Sequence, residues 1–407
     1  MSAPNLLHVW LHGSHVGELQ RLRNGALRLR YDSEAIQNWG TGTRLLSYSL
    51  PLTSKRVEAP ALDAWLDNLL PEGALRVQLE QQHRVRPGDA FGLLTYLGAE
   101  CAGAVQFTRT DTQAAGRLIP LAEDEVARIV QDLPTLTAPE GESVSASLGG
   151  VQSKVLLTRT SSGWAWPAAG AMSTHIVKPE PIDPSVPIPR IIEYEHWAMS
   201  VALEAGVPAA HTELERFGER LALVVQRYDR TAGDRLHQED FAQALGIRAG
   251  AKYEPAGDPG SRLATISSGP GAEAIDPARF RDDLLRLVTF NAIIGNGDAH
   301  AKNYSLILRD GAFQLAPAYD IAPVFCISSR FSTFGMRVAG QGNLKYLTPA
   351  DLIEEAETWG TSTARARETV VRTAEAVSAA VPKVGGDSLL GAVATQVADR
   401  AAAFARP

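Results

Sequence analysis

Apolar and polar residues alternate with a period of two in short runs near the start of the chain, which predicts a small β-rich unit over residues 1–110. The runs are residues 6–11, 17–19 and 22–31, and Asn24-Gly25 supplies a hairpin turn inside the last of them. The same alternation puts Arg21, Arg23, Arg28 and Arg30 on one polar face. Helical spacing then predicts helices at 62–70, 75–83 and 91–97, the first stopped by Pro71-Glu-Gly73, and a strand at 103–107. Residues 111–140 read as a polar connector holding one helix, 123–131, entered through an acidic first turn.

Further on, strands are expected at 155–157, at 175–178 and from 221 to about 226. Between the last two lies a proline-rich loop, 179–189, whose prolines exclude helix and sheet ladder, and then a helix, 192–205. His237-Gln-Glu-Asp240 reads as a helix N-terminus, and 258–270, rich in Gly, Pro and Ser, reads as mobile. Beyond residue 320 the pattern is helical, with helices at 352–359, 364–381 and 388–404.

The most informative stretch lies between these parts. An apolar helical run, 284–294, delivers the turn Gly295-Asn-Gly-Asp-Ala-His-Ala-Lys-Asn303. Two strands follow, 304–308 and 312–315, joined by Asp310-Gly311, and the second ends in Pro317-Ala-Tyr-Asp320. A tight turn centred on 310 and 311 sets Asn303 opposite Ala318, so Asp320 comes near Asn303 and Asp298. Two carboxylates and an amide at one strand edge suit Mg²⁺ and phosphate, because Mg²⁺ takes hard oxygen ligands and shares them with phosphates and water. The spacing Asp298-x-x-x-x-Asn303 equals the Asp-to-Asn spacing of the protein-kinase catalytic loop. Two other readings stay open on these residues: ordinary Asn-Gly-Asp turn chemistry, and a hydrolase metal site through Asp298, His300 and Asp320.

Three further stretches carry candidate chemistry. The paired glycines of Ser145-Ala-Ser-Leu-Gly-Gly-Val-Gln-Ser-Lys154 can bring backbone N–H groups to phosphate, although no Walker A pattern is present. Lys178 ends a strand before a helix that contains Glu193 and Glu195, and a Lys–Glu pair of that kind is a part of phosphoryl-transfer sites. Gln226-Arg-Tyr-Asp229 ends a buried strand and suits either a hinge for an adenine edge, with Asp229 on the ribose, or a plain surface turn.

Composition narrows the class. The chain has 407 residues, more than one core usually holds, with 45% hydrophobic and 21% charged residues. Its 39 Lys plus Arg against 46 Asp plus Glu give a net charge of -7, which argues against whole-surface affinity for nucleic acid. Two cysteines, Cys101 and Cys326, form no disulfide framework and fit a reducing cytoplasm. No apolar run reaches spanning length, and Met1-Ser-Ala-Pro does not open a signal peptide, so no membrane role is expected.

Taken in order, these blocks resemble the HipA-type serine/threonine kinases, the toxin halves of HipBA-like bacterial toxin–antitoxin pairs. The resemblance is carried by Asn68-Leu-Leu-Pro-Glu-Gly73, Phe91-Gly-Leu-Leu, Cys101-Ala-Gly-Ala104, Ser147-Leu-Gly-Gly-Val-Gln-Ser-Lys154, His175-Ile-Val-Lys178, Arg227-Tyr-Asp-Arg230, Lys252-Tyr-Glu254, Gly295 to Asn303 and Pro317-Ala-Tyr-Asp320. It implies an α+β, bilobal, protein-kinase-like fold in three parts. These are a β-rich N-terminal subdomain (1–110), an N-lobe-like part with Gly-rich loop and hinge (140–230), and a largely helical C-terminal lobe with catalytic loop and metal-binding hairpin (231–407).

The resemblance also implies roles. Asp298 is the catalytic aspartate, and Asn303 and Asp320 hold Mg²⁺. Lys178 contacts the ATP phosphates, Gln226, Tyr228 and Asp229 hold the adenosine, and Ser147, Gly149, Gly150, Val151, Lys154, His300 and Lys302 complete the nucleotide site. Ser147 is the serine that the family phosphorylates on itself, with Ser145 a second hydroxyl nearby. The implied substrate is a translation component such as an aminoacyl-tRNA synthetase. The implied partner is a HipB-like helix-turn-helix antitoxin, through which alone operator DNA is reached. A rival reading keeps the fold without the chemistry, as a partner that stabilises an antitoxin–operator complex. Tyr194-Glu195 and Ser153 depart from the family's usual Asn-Glu and acidic residue.

Overall fold

The computed structural model describes residues 5–406 apart from 59, 114, 145–151, 183–187, 258–259 and 310. Ser145, Ser147, Gly149, Gly150 and Val151 therefore lie outside the described residues. The chain forms two compact units. The first is Met1–Pro181, Glu213–Gly250 and Leu308–Gly311; the second is Ile182–Thr212, Ala251–Ile307 and Ala312–Pro407. The two N-terminal parts expected from sequence thus fall into one unit, while residues 182–212 join the second.

The first unit holds two sheets. Strands β1 (Leu6–Leu11), β2 (Ser14–Arg21), β3 (Leu27–Tyr31), β4 (Val57–Glu58) and β5 (Val105–Thr108) form an antiparallel sheet in the order β4-β3-β2-β1-β5. Helices α1 (Ser33–Trp39), α2 (Ala61–Asn68), α3 (Gly73–Gln82) and α4 (Ala90–Leu97) belong to the same part. The alternation seen in sequence is the reason for the sheet: Leu7, Val9, Leu19 and Leu29 are buried on one face. The four arginines do not share the other face. Gln20 pairs with Arg28 and Arg21 with Leu27, so Arg21 has the opposite parity. Its guanidinium instead binds Asp89 at 2.6 Å and lies over the Phe91 ring.

The second sheet contains β6 (Arg117–Pro120), β7 (Val155–Thr160), β8 (Gly163–Ala168), β9 (His175–Pro179), β10 (Thr212–Phe217) and β11 (Arg220–Gln226), in the order β10-β11-β9-β7-β8-β6. Helix α5 (Glu123–Asp132) is tied to it by Arg220, whose guanidinium donates to the carbonyls of Val130 and Leu133 at 2.9 and 2.6 Å. One continuous hydrophobic core, from Leu7 through Trp65 and Phe107 to Val224, runs under both sheets. Short strands β12 (Arg230–Thr231), β13 (Asp234–Arg235) and β14 (His237–Asp240) follow β11. Asp240 then caps the brief helix Phe241–Ala244, so the helix entry expected at 237–240 is present, with His237–Asp240 themselves a short strand leading into it.

The second unit is mostly helical. It contains α6 (Ile191–Glu204), α8 (Arg262–Ser268), α9 (Pro277–Ile294), α10 (Val324–Ile327), α11 (Pro349–Thr358), α12 (Thr363–Val384) and α13 (Ser388–Phe404), α7 being the Phe241–Ala244 helix. Strands β15 (Ser305–Arg309), β16 (Ala312–Leu315), β17 (Thr333–Val338) and β18 (Gln341–Asn343) complete it. Trp197 on α6 donates its indole N–H to the carbonyl of Gly385, and Arg190 binds Asp387 at 2.7 Å, which explains why α6 belongs with the C-terminal helices. Among the described residues, no helix is long and apolar enough to cross a membrane.

Candidate active site

Helix α9 is built to stop at a defined place. Asp276 caps its first N–H groups, at Ala278 and Arg279, and Pro277 fits the first turn. Gly295 takes a left-handed conformation (φ 80°) and closes the helix onto the carbonyl of Asn291. A Cβ there would lie 2.9 Å from Cys326 Sγ, so glycine also answers a close contact. The last carbonyls of α9 find a donor far along the chain. Arg400 Nη2 donates to Ala292 at 2.6 Å and Nε to Ile293 at 3.2 Å, with its guanidinium over Phe325 and Phe404.

The turn that follows is closed by its own backbone. Asp298's carbonyl accepts from the N–H of His300 at 2.7 Å and from the side-chain amide of Asn303 at 2.8 Å. His300's carbonyl accepts from the N–H of Asn303, across a single 3-10 turn, Ala301–Asn303. Asn303 Nδ2 is thereby spent on the turn, and Oδ1 is the end of the amide left for an outside ligand.

The ribbon takes the register expected from sequence. Ala316 N–H donates to Ser305 O at 2.9 Å, as a turn centred on 310 and 311 requires. Tyr319 reinforces it, its hydroxyl donating to the carbonyl of Lys302 at 2.8 Å and meeting Ser305 Oγ at 2.6 Å. Ala318 is also bridged in parallel to Ala209, with bonds of 2.8 Å on either side to Pro208 and Ala210. Asp320 follows directly with φ 57°, a conformation an aspartate adopts at a cost.

The charge of Asp320 reaches both Asp298 and His300, and Asp298 and His300 act on each other. Desolvation raises the pKa of Asp298 above the ordinary carboxylate value, and the charge of Asp320 adds to that rise. His300 and a hydrogen bond from Tyr253 act the other way. His300 is buried, so its pKa is lowered, first by desolvation and then by Lys252, against the opposing pull of Asp298 and Asp320. Its Nδ1 is buried with no hydrogen-bond partner. The oxygens of Asn303 and Asp320 are hard donors, the chemistry that Mg²⁺ takes. Among the described residues, no three His, Cys, Asp or Glu side chains gather as a transition-metal site. Lys302 is buried in the same unit.

Of the remaining sequence candidates, all but Glu193 and Glu195 sit in the first unit. Lys178 is buried on β9 opposite Leu223 of β11, and Lys154 is buried just before β7. Glu195 is buried on α6 of the second unit. Gln226 ends β11 exposed, and the Tyr228 hydroxyl bonds Gln238. Asp229 is placed differently from its expected ribose role. It is buried, and its carboxylate accepts from Arg227 at 2.9 and 2.8 Å, from Arg230 at 2.9 Å and from the N–H of Gly103 at 2.8 Å. Burial alone would raise its pKa, but the two arginines outweigh burial and hold it well below the usual range. Glu100, fully buried, completes the cluster by accepting from Ser173, Arg227, Arg230 and Arg235. This arrangement gives Asp229 a structural task and leaves its carboxylate committed.

Sequence reasoning did not assign three residues that shape the site. Tyr253 bonds Asp298; its signal was the Lys252-Tyr-Glu254 block. Gly335, on β17 against the backbone of His300, and Arg400, on α13, come from distant elements and left no local signal.

Comparison with known proteins gives matches over most of the chain. The model of the HipA-like C-terminal domain matches residues 146–381, and that of the HipA N-terminal domain matches residues 7–108. The chain is 32% identical over 374 residues to the Sinorhizobium fredii protein named "Putative kinase Y4mE", covering 88% of this chain and 84% of that one. It is 29% identical over 305 residues to the serine/threonine-protein kinase toxin HipA of Shewanella oneidensis, covering 71% and 69%. It is also similar to the solved complex of HipA, HipB and operator DNA from Shewanella oneidensis MR-1, with a TM-score of 0.81 and 25% identity over 97% of this chain and 96% of that one. The mixed helix-and-sheet, kinase-like fold expected from sequence is the fold of that structure.

Proposed function

The chain belongs to the HipA family of serine/threonine kinase toxins and is a kinase, and from that premise we propose that it uses ATP and Mg²⁺ to phosphorylate a component of translation, such as an aminoacyl-tRNA synthetase. The observation that supports this reading is that Asp298 and Asn303 share one hydrogen-bonded turn and that the charge of Asp320, which follows the second strand of the ribbon, acts on Asp298. In the transfer, the bond between the γ-phosphorus and the bridging oxygen of ATP breaks and ADP leaves. The substrate hydroxyl oxygen forms the new bond to phosphorus, and its proton passes to the carboxylate of Asp298.

Asn303 Oδ1 and the Asp320 carboxylate would hold Mg²⁺, which when bound neutralises charge on the phosphate oxygens. Lys178 would face the phosphates, with Lys154, His300 and Lys302 beside them and Gln226 and Tyr228 at the adenosine. Catalysis of this kind consists mostly of positioning and charge neutralisation. Ser147, with Ser145 next to it, is the proposed site of autophosphorylation in the Gly-rich loop. The proposed partner is a HipB-like antitoxin, supported by the likeness to a HipA that is solved with HipB and operator DNA. Contact with operator DNA would run through that antitoxin. Action in the cytoplasm is supported by two buried free thiols, Cys101 and Cys326.

The test is radiolabelled ATP with the wild-type chain, Asp298→Asn and Asp320→Asn. Labelling of protein is expected to fall to background in both variants. Wild-type labelling in either would overturn the assignment. Phosphopeptide mapping of the wild-type product then reports whether Ser147 or Ser145 carries the phosphate, and absence of heat on titration with Mg-ATP would sink the nucleotide reading.

A further inference from the structure

Tyr253 lies outside every role assigned above, yet its phenol donates a hydrogen bond to Asp298 Oδ1. Among the described residues it supplies the one side-chain hydrogen bond to that carboxylate; His300 Nε2, at 3.7 Å from the same oxygen, is beyond bonding distance. We propose that Tyr253 is a positioning residue for phosphoryl transfer: it holds Oδ1 of Asp298 so that Oδ2 is presented to the incoming serine or threonine hydroxyl. This rests on the reading of Asp298 as the group that receives the substrate proton.

Three observations carry the proposal. The first is how rigidly Tyr253 is mounted. On one side, the carbonyl of Lys252 accepts from the N–H of Ala301, inside the catalytic turn, at 3.2 Å and from Arg262 at 2.9 Å. On the other, the N–H of Glu254 donates to the carbonyl of Gly335 at 2.9 Å, while its carboxylate accepts from the N–H groups of Arg262 and Arg337. The phenol therefore stands on backbone bonded on both sides to the site it serves. The second is the ring packing. The Tyr253 ring meets the His300 ring edge-on at 4.9 Å and 90°, which fixes the direction of the hydroxyl.

The third is exposure. Tyr253 is 45% exposed, and half of the Asp298 side chain is open to solvent. An exposed aspartate rotates among several orientations, and a carboxylate that must accept a proton in one direction loses rate when it does. One donor on one oxygen removes most of that freedom and leaves the second oxygen reachable. The ring packs too little to be needed as core, so its hydroxyl is the part with a function.

Two variants separate this from a packing role. Tyr253→Phe keeps the ring against His300 and deletes only the hydroxyl; Tyr253→Ala deletes both. Tyr253→Phe is expected to lower kcat about tenfold or more, with KM for ATP and the thermal midpoint unchanged. Wild-type kcat in Tyr253→Phe, with loss confined to Tyr253→Ala, would overturn the proposal. A readout independent of activity is the carbon resonance of tyrosine labelled at the ring carbon bearing oxygen. One signal should vanish in Tyr253→Phe and move in Asp298→Ala. A signal that does not move in Asp298→Ala means the bond is absent and the proposal fails. A wild-type chain that transfers no phosphate, yet shows the moving signal, would instead fail the kinase reading beneath it.

Discussion

A Cβ placed on Gly335 would stand 2.4 Å from the backbone nitrogen of His300 and 2.6 Å from the carbonyl carbon of Ala299. Strand β17 therefore runs against the turn of Asp298 and His300 at a distance that only glycine allows, and it does so while bonding Glu254 next to Tyr253. Gly335→Ala must push the turn away, because both neighbours are backbone. We expect a loss of about 2 kcal/mol in stability. We also expect at least a tenfold fall in kcat, on the order expected when a reacting group is displaced. Thermal unfolding and phosphate transfer measure the two; an unchanged kcat would show that the turn tolerates the shift.

The cluster around Asp229 makes a second, separate prediction. Removing one member leaves buried charge without its counterpart, so Asp229→Ala should cost roughly 3–5 kcal/mol in urea unfolding. Glu100→Ala should behave alike, since Arg227 and Arg230 bind both acids. A chain with Asp229→Asn that kept full stability and lost only affinity for ATP would return Asp229 to the ribose.

Glu239 gives the pH dependence. Its carboxyl is buried, and desolvation pushes its pKa up from 4.5 to about 8 against hydrogen bonds from Ser47 and from the N–H of Tyr48. Asp240 adds to the rise and Arg44 opposes it. A pKa raised by folding means that the native state holds this proton more tightly than the unfolded chain. The stabilisation is full below the unfolded value and is lost as pH rises through the folded one. Relative to Glu239→Gln, the wild type should lose roughly 3 kcal/mol between about pH 5 and about pH 8. Unfolding curves for the two chains that stay parallel across this window would refute it.

Much of the site could be read from sequence because its main parts are neighbours along the chain. Asp298 and Asn303 share a turn, and the bond from Ala316 N–H to Ser305 O keeps the expected register of the two strands, which are found within one residue of their expected limits. What failed was information carried by distant partners. The arginine face was misjudged because the hairpin between β2 and β3 is offset so that Arg21 opposes Leu27, a parity no alternation reveals. Residues 258–270 looked merely flexible, yet they contain α8, where Ser261 caps Ala264 and binds Glu355 of α11. Strand β8, Gly-Trp-Ala-Trp-Pro-Ala, shows no polar alternation because it is a sheet interior with four buried residues in sequence. Tyr253, Gly335 and Arg400 reach the site from three separate places, and only the folded chain shows that they do.

Arg400 has a consequence for timing. Its guanidinium closes the end of α9, where the turn of Asp298 begins, yet it lies on α13, 108 residues further along the chain. Ribosomes make the turn first and its clamp long afterwards. A nascent chain from which α13 has not yet emerged lacks the donor for Ala292 and Ile293, so the end of α9 is completed only once a segment made well after it has folded back.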